Sequence, residues 1–370
     1  MIQSTPAFRK VFGCLVGGAI GDAFGVRVEM MHYRDIEAQY GRVTHFGPLP
    51  PRQPSAQPLL ERWNPFGEEP QAAGEFHPLG RWSDEVGAYT DDTRYKLMAC
   101  QAILRKRGPI TGADLGAEWL NYRLMAEGAQ PVEGTLSWPG PQLAYARNMA
   151  SLDELRRMAG ESRTCWPGWD APLGLIHAGD PQQAARDGYP MAVAVASALD
   201  PDATIEGVID AVLEHADCLG QNANEFRGRL ERLLEIAAHC ADVFALREPF
   251  YRSFLVSFPP WEAVFPLEMI PCALALCYIA KGDAEQAIIG ATNLGRDSDT
   301  IASMAGDLMG ALGGIDGLPP AWVEQVLRIN PQPDLATMAA SLCGIIWERA
   351  QLRSRDVARL LSLFDGPGAL

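Results

Sequence analysis

Hydrophobic residues recur at spacings of three and four along most of this chain, with polar residues between them. Near the start, Phe8, Val11, Phe12, Leu15 and Ala19 follow this spacing, which places them on one face of an α-helix. The same pattern predicts further helices at 94–105, 191–199, 204–215, 228–244, 273–280, 284–293, 300–312 and 335–351. Alternation of apolar and polar residues is never sustained, and runs of β-branched residues are scarce. The pattern predicts an all-α fold, a compact orthogonal bundle of many helices joined by long loops.

A proline-rich segment interrupts the helical pattern early in the chain. Between Pro48 and Pro78 lie eight prolines and several glycines, a density that excludes a continuous helix or a central strand. A loop of this length inside a domain is often a lid or a binding loop, but a surface insertion fits equally well. Because no obvious linker separates two balanced halves, we expect 1–370 to form one domain with an insertion at 48–80.

A second irregular segment is rich in tryptophan. It runs from Gly128 through the sequence Trp-Pro-Gly-Pro at 138–141 and resumes with Cys-Trp-Pro-Gly-Trp at 165–169. Tryptophan rings commonly stack against flat ligands, which favours a functional loop here. Trp166 and Trp169 are therefore candidate substrate contacts.

The charge balance limits the classes of partner. Lysine and arginine number 31 against 46 aspartates and glutamates, a net charge of −15. Because an acidic surface repels phosphate backbones, nucleic-acid binding is disfavoured, although a single phosphate can still bind locally. The excess of carboxylates is also compatible with a cation site.

Cysteine usage and the N-terminal segment bear on the cellular compartment. The eight cysteines are scattered and none forms a C-x-x-C pair, which argues against a zinc ribbon or a redox motif and predicts reduced thiols in a cytoplasmic protein. The basic pair at 9–10 and the apolar run at 11–20 resemble a signal peptide, but Asp22 follows at once and the run is rich in glycine. No apolar run reaches the roughly 18 residues of a membrane span, so no membrane partner is expected.

Two short acidic clusters, far apart along the chain, each stand directly before a predicted helix. The first reads Thr-Asp-Asp-Thr at 90–93 and the second reads Asp-Ser-Asp-Thr at 297–300. Either can act as a helix cap, since Ser, Thr and Asp are the preferred N-caps and acids favour the first turn. Each cluster nevertheless holds more carboxylates than a cap needs, and adjacent carboxylates repel unless they are exposed or share a cation.

The two clusters together predict a binuclear metal site. If both helix starts converge on one point, their carboxylate and hydroxyl oxygens surround a space for two cations. Neither cluster contains a histidine or a cysteine. A ligand set made only of oxygen favours two Mg²⁺ ions, with Mn²⁺ as the alternative, over zinc.

Glycines are concentrated in the first helical segment and again after the second acidic cluster. Because glycine inside a helix costs about 1 kcal/mol relative to alanine, this concentration needs a reason. Small residues let two helix backbones approach closely, so we predict that these two helices pack tightly together near the metal site. The residues concerned are Gly13, Gly17, Gly18, Gly21 and Gly25 in the first segment and Ala302, Gly306, Gly310, Gly313 and Gly314 in the second.

Three motifs, in order, resemble those of the ADP-ribosylglycohydrolase family, which includes the dinitrogenase-reductase-activating glycohydrolases. They are Gly-Gly-Ala-Ile-Gly-Asp-Ala-Phe-Gly-Val-Arg-Val-Glu at 17–29, Thr-Asp-Asp-Thr at 90–93 and Gly-Arg-Asp-Ser-Asp-Thr at 295–300. The resemblance implies an all-α fold around a binuclear magnesium centre. The metal ligands that it implies are Thr90, Asp91, Asp92, Asp297, Asp299 and Thr300.

The resemblance also implies roles outside the metal ligands. Glu29 closes the first motif and is implied to lie near the metals and the scissile bond, which makes it the candidate general base or proton shuttle. Asp22 and Gly25 of the same motif are candidate substrate contacts. The family's Pro-Leu-Gly-Leu segment has a counterpart at 172–175, but the asparagine-glycine and methionine-arginine pairs usual before it are absent, and Trp-Pro-Gly-Trp-Asp stands at 166–170.

The reaction that the resemblance implies is hydrolysis of a glycosidic bond at a ribose-like anomeric carbon. The substrate is then a small-molecule or protein-linked ribosyl group, and the metals bind the sugar hydroxyls and orient a water. Removal of ADP-ribose is one interpretation. Hydrolysis of a different N- or O-glycoside, such as a nucleoside-like metabolite, is a second, and a non-catalytic relative that binds ADP-ribose or has a structural role is a third. The sequence leaves the oligomeric state open.

Overall fold

The computed structural model describes residues 2–56, 85–126, 128–133, 135, 170–255 and 266–364. Within these ranges the chain forms helices and no β-strand, and the one extended pairing is an isolated antiparallel bridge between His32 and Gly295. The predicted all-α fold is therefore confirmed. Trp166 and Trp169 lie outside the described residues, as does most of the proline-rich segment.

Fifteen α-helices lie in the described part of the chain. In chain order they are α1 (Pro6–Gly25), α2 (Tyr33–Tyr40), α3 (Asp91–Lys106), α4 (Gly112–Ala126), α5 (Ala171–Ile176), α6 (Pro181–Asp187), α7 (Pro190–Ala198), α8 (Ile205–Glu214), α9 (Ala223–Ala237), α10 (Arg247–Pro249), α11 (Pro266–Ala280), α12 (Ala284–Leu294), α13 (Ser298–Gly313), α14 (Pro320–Ile329) and α15 (Leu335–Leu361).

Short polar side chains start several of these helices. Thr5 accepts a hydrogen bond from the backbone N–H of Phe8, and Pro6 occupies the first helical position of α1, where its missing N–H is not needed. Thr204 and Asp283 cap α8 and α12 in the same way. The helix starts thus follow from local sequence.

The predicted boundaries differ from the structure in one informative place. The apolar pattern predicts one helix over 228–244, but in the structure α9 ends at Ala237. Val243 fits the helical spacing, yet it packs against α12, where a Cβ at Gly290 would lie 2.6 Å from the Cβ of Val243. A tertiary contact therefore replaces the continuation of the helix. The sequence pattern did not predict α2, α4, α5, α6, α10 and α14, and α15 continues ten residues beyond its predicted end.

Helices α1 and α13 pack antiparallel along their length through small residues. A Cβ added to Gly17 would lie 2.2 Å from the carbonyl oxygen of Gly306, and one added to Gly21 would lie 1.9 Å from that of Ala302. Gly13 meets Gly310 in the same register, and Gly25 meets the backbone of Ser298. The predicted close packing is confirmed. Its register brings the C-terminal end of α1 against the N-terminal end of α13.

Helix α1 is also the most apolar long helix in the described ranges. Together with the 3₁₀ turn that follows it, α1 forms the segment Pro6–Val28, which contains an 18-residue window with a mean hydropathy of 1.5. By length and composition alone this segment could cross a membrane, so the expectation that no run reaches this length was wrong. Glycines, which interrupt a run of large apolar residues, lower the mean hydropathy only slightly. In this fold 83% of that window is buried inside the protein, where α13 and neighbouring helices cover it. Burial of this kind is typical of a core helix.

The cysteines in the described ranges are free thiols, as the sequence predicts. Cys14, Cys100, Cys218, Cys272, Cys277 and Cys343 are buried free thiols, and Cys240 is a half-buried one. Burial raises the pKa of the Cys14 thiol well above its ordinary value, which keeps it protonated and unreactive.

Candidate metal centre

The two acidic clusters start two helices that meet. Thr90 precedes α3 and Asp297 precedes α13, so both clusters stand at the N-terminal ends of their helices, as predicted. The hydroxyl of Thr300 donates a hydrogen bond to Asp92 Oδ2 over 2.9 Å. Both residues are buried, so this contact joins the two helix starts inside the protein.

Asp22 of α1 holds the start of α3 in place. Its carboxylate accepts hydrogen bonds from the backbone N–H and the hydroxyl of Thr90, at 2.9 and 2.6 Å to Oδ1. It also accepts from the N–H and the hydroxyl of Thr93, at 2.9 and 2.6 Å to Oδ2. Asp22 therefore satisfies helix-start N–H groups that have no partner within the helix. In effect, an aspartate from α1 caps α3.

Two groups of three carboxylates converge at this point. In the first, one carboxylate oxygen from each of Asp22, Asp92 and Asp299 lies within 4.8 Å of the others. In the second, the same holds for Glu29, Asp297 and Asp299. Asp299 belongs to both groups, and all five residues are buried. The arrangement offers two adjacent oxygen-lined positions that share one carboxylate.

The burial and crowding of these acids raise the pKa values of several of them. Burial, followed by the charge of Asp22, raises the pKa of Asp91 to about 7. Burial also raises the pKa values of Asp92, Asp299 and Glu29 well above their ordinary range, and the charges of neighbouring acids add to this effect. Buried carboxylates of like charge need a counter-charge to remain ionised. Divalent cations supply that charge, and a cluster of oxygen ligands fits hard divalent cations.

A backbone contact places Glu29 beside the second cluster. Met30 and Arg296 both adopt positive φ angles, 56° and 65°, which side-chain-bearing residues rarely adopt. The N–H of Met30 donates to the carbonyl of Arg296 over 2.6 Å, and the N–H of Arg296 donates to the carbonyl of Met31 over 2.9 Å. Because Glu29 precedes Met30 and Asp297 follows Arg296, this pairing brings their side chains into one group. Strained backbone of this kind often accompanies functional sites.

The conformation of Arg296 is supported by a buried ion pair. Its guanidinium donates to both carboxylate oxygens of Glu268, each over 2.8 Å. The two side chains are 4% and 2% exposed, so the pair fixes the turn that leads into α13. Glu268 belongs to α11 and reaches the acidic cluster through Arg296, which directly precedes Asp297 in the chain.

Sequence comparison identifies the protein family. The sequence model of the ADP-ribosylglycohydrolase family matches residues 3–355. The chain belongs to the ADP-ribosylglycohydrolase family.

Individual relatives of this ADP-ribosylglycohydrolase family member are distant. The uncharacterised protein YegU of Escherichia coli strain K12 is 25% identical over 362 residues, which cover 90% of this chain and 96% of YegU. A stretch of 40 residues, 11% of either chain, is 55% identical to Tri1 of Pseudomonas putida strain GB-1, which is named an ADP-ribosylarginine hydrolase. Among solved structures, an ADP-ribosylglycohydrolase-related protein complex aligns over 92% of this chain and 99% of its own, with a TM-score of 0.42 and 19% identity.

The structure brings together most of the site residues predicted for an ADP-ribosylglycohydrolase. Asp92, Asp297, Asp299 and Glu29 contribute to the two carboxylate groups, and Thr300 is bonded to Asp92. Asp91 and Thr90 lie at the same helix start, with the Thr90 hydroxyl bonded to Asp22. Their roles as ligands, and that of Glu29 in catalysis, stay predictions.

The predicted substrate contacts are placed only in part. Gly25 lies at the end of α1, where a Cβ would come within 2.3 Å of the carbonyl oxygen of Ser298, so its small size serves the packing of α1 on α13. Asp22 is fully buried and bonded to the start of α3. Trp166 and Trp169 lie outside the described residues, and the Pro-Leu-Gly-Leu segment forms part of the buried helix α5.

Sequence reasoning missed Arg52, which comes from the described beginning of the proline-rich segment. Its guanidinium donates to the backbone carbonyl of Glu29 over 2.7 Å, and its charge acts on the Glu29 carboxyl to lower the pKa that burial raises. Ser55 Oγ and the N–H of Ala56 both donate to Asp35 of α2, which holds the same segment against the body. This part of the segment thus lies beside the candidate site. A lone arginine among prolines carries no spacing signal that would reveal this.

Proposed function

We propose that this protein is a Mg²⁺-dependent hydrolase that cleaves a glycosidic bond at a ribose-like anomeric carbon, with ADP-ribosyl groups as its substrate class. The observation that carries this proposal is the convergence of two acidic helix starts and Glu29 in one buried cluster. Membership of the ADP-ribosylglycohydrolase family supports the reaction class. We propose further that residues 1–370 act as a single domain.

In this proposal the two cations are held by the oxygens of the two helix starts. Those ligands are Thr90, Asp91, Asp92, Asp297, Asp299 and Thr300. When bound, such ions lower the pKa of a coordinated water and neutralise charge that develops on the substrate oxygens. Asp22 orients the first helix start by its hydrogen bonds to Thr90 and Thr93.

Glu29 is the residue proposed to move protons. The residue is 8% exposed, and its carboxyl lies in the same group as those of Asp297 and Asp299. It accepts the proton of the attacking water as the glycosidic bond breaks, and delivers it towards the leaving group. The Arg52 contact to its backbone limits the positions that Glu29 can take.

The substrate class rests on two comparisons. The family is that of the ADP-ribosylglycohydrolases, and the relative Tri1 is named for ADP-ribosylarginine. A protein-linked or small-molecule ADP-ribosyl group therefore fits the proposal. A single bound nucleotide is compatible with the acidic surface, because its phosphates need only local contacts.

A substrate panel tests the proposal. The purified protein is incubated with ADP-ribosyl-arginine, O-acetyl-ADP-ribose and a set of nucleosides, with Mg²⁺ and separately with EDTA. Release of ADP-ribose in Mg²⁺ and its loss in EDTA are the expected results. If Mg²⁺ and ADP-ribose both fail to raise the melting temperature and no substrate is cleaved, the proposal is wrong.

A different small N- or O-glycoside is the second candidate substrate. The observation that favours it is the Trp-Pro-Gly-Trp-Asp sequence at 166–170, which stands where the family's asparagine-glycine and methionine-arginine pairs are usual. Those pairs help to hold ADP-ribose. Cleavage of a nucleoside in the same panel, with the ADP-ribosyl compounds untouched, would favour this candidate.

A further inference from the structure

A buried ion pair lies directly below the acidic cluster and links its two helices. Lys96 follows Asp92 by one turn of α3, and Asp307 follows Asp299 by two turns of α13. Lys96 Nζ donates to Asp307 Oδ2 over 2.6 Å, and the two side chains are 5% and 2% exposed. Four residues of helix rise by about 6 Å and eight by about 12 Å, so the pair lies one turn below the proposed ligands of α3 and two turns below those of α13.

The same ammonium group also reaches α1. It donates to the hydroxyl of Ser303, and that hydroxyl donates to the carbonyl of Gly18 over 2.9 Å. A Cβ at position 18 would lie 1.9 Å from Asp307 Oδ1 and 2.9 Å from Lys96 Nζ. The absence of a side chain at Gly18 therefore makes room for the pair. Three helices that supply site residues are joined at one polar point.

Stability alone does not account for this arrangement. Removing a lysine and an aspartate from water carries a desolvation penalty for each ion, and their attraction often does no more than offset that penalty. Apolar or neutral residues of similar size are often equally good or better for stability. A buried pair is more useful for specifying one geometry, because its hydrogen bonds are satisfied in a single register.

The metal proposed for this site makes geometry matter. Mg²⁺ requires nearly ideal octahedral coordination with ligand distances of about 2.0–2.1 Å. A small slide of α3 along α13 would therefore pull Asp92 away from Asp299, whose carboxylate belongs to both groups. Such a slide also breaks the bond from Lys96 to Asp307.

We propose that Lys96 and Asp307 are positioning residues that hold the two acidic helix starts at the separation a pair of divalent cations requires. This inference rests on the proposed function, since it assumes that the cluster binds two ions. The ion pair favours binding of a cation at both carboxylate groups at the same time. It contributes little to the stability of the metal-free fold.

The test replaces both charges together with residues of similar size, Lys96→Met with Asp307→Asn. A matched control, Arg105→Met with Glu118→Gln, removes another ion pair of α3, which joins it to α4. Arg105 lies 13 residues beyond Asp92, about 20 Å along the helix. For each protein, calorimetry with Mn²⁺ gives the number of ions bound and their affinities. Electron paramagnetic resonance shows whether two bound Mn²⁺ ions are spin-coupled, and a thermal melt in EDTA gives the stability of the metal-free protein.

The expected result separates position from stability. The wild type and the control bind two coupled Mn²⁺ ions. The Lys96 and Asp307 double variant melts within a few degrees of the wild type in EDTA. Its affinity for the second ion falls by about 10–100-fold, the loss that is typical when a residue supporting a metal ligand is replaced. The spin-coupled signal of two Mn²⁺ ions is lost.

Two other results would overturn the inference in different ways. If the double variant is folded and binds two coupled ions as tightly as the wild type, Lys96 and Asp307 do not position the site, while the proposed function stands. If the wild type binds no Mn²⁺, the proposed function fails and the inference fails with it.

Should the double variant not fold, Ser303→Ala takes its place, because it removes the link to α1 without burying a lone charge. Unchanged Mn²⁺ affinity in the Ser303 variant would also count against the inference, and a lower affinity for the second Mn²⁺ ion would support it.

Discussion

The hydroxyl of Thr300 and the carboxylate of Asp92 lie 2.9 Å apart, although 208 residues separate them in the chain. Each stands in the first turn of its helix. The bond therefore joins two helix ends that would repel each other if they carried only their aspartates. The close packing of α1 on α13 and the four hydrogen bonds that Asp22 accepts from the start of α3 make this meeting possible.

The shared carboxylate of Asp299 leads to a first prediction. Asp299→Asn removes a charge common to both groups, so we expect Mg²⁺ and Mn²⁺ affinity to fall by more than about 100-fold, beyond the loss typical of supporting residues. The helices should remain, because an amide of the same shape replaces a crowded acid. Calorimetry and circular dichroism measure the two effects. Asp202→Asn, at an exposed aspartate, is the control. Full metal binding by the Asp299 variant would contradict the site assignment.

Glu29 gives a second prediction, about chemistry rather than binding. Glu29→Gln keeps the size of the side chain but removes its ability to accept a proton. We expect kcat to fall by about 10²–10⁴-fold, the usual contribution of a general base, while two metal ions still bind. Steady-state rates on the best substrate of the panel measure this. Glu37→Gln, an exposed change on α2, should leave the rate unchanged. A rate within a factor of two of the wild type would exclude Glu29 as the base.

The packing of α1 on α13 gives a third prediction, about stability. Gly21→Ala places a methyl group 1.9 Å from the backbone oxygen of Ala302, and backbone cannot move aside as a flexible side chain can. We expect the free energy of unfolding to fall by at least about 2 kcal/mol. The control is Gly228→Ala in α9, where no atom lies within 4 Å of the added carbon and where alanine should stabilise by about 0.5–1 kcal/mol. Equal melting temperatures for the two variants would argue against the close contact.

Asp170 gives a fourth prediction, about pH. Burial raises the pKa of this carboxyl to about 8, against an ordinary value of 3.8. Between these two values the folded state keeps a proton on Asp170 that the unfolded state releases. The stability that this carboxyl contributes is therefore complete below about pH 4 and is lost as pH rises through 8. In Asp170→Asn this loss disappears, because the amide stays neutral. Denaturant unfolding at pH 5, 7 and 8.5 measures it. We expect the free energy of unfolding of the variant to rise relative to that of the wild type as pH rises. A difference in unfolding free energy that stays constant across this range would refute the prediction.

Local sequence was sufficient for nine of the fifteen helices in the described ranges and for the two acidic helix starts. Helical spacing and the caps act over a few residues, so Asp91, Asp92, Asp297 and Asp299 could be placed at helix starts from the sequence. The glycines at spacings of four predicted close packing of two helices, because a backbone without Cβ atoms is useful mainly where another backbone approaches it.

Tertiary structure decided the partners that no spacing reveals. Whether Lys96 of α3 faces solvent or Asp307, and whether Arg296 meets Glu268, depends on how distant helices pack. The end of α9 at Ala237, and the arrival of Arg52 beside Glu29, were decided in the same way. The physical reason is that burial and long-range ion pairing arise only when the whole set of helices excludes water. By itself the sequence determined which residues could form the site, and the packing of α1, α3 and α13 decided that they meet.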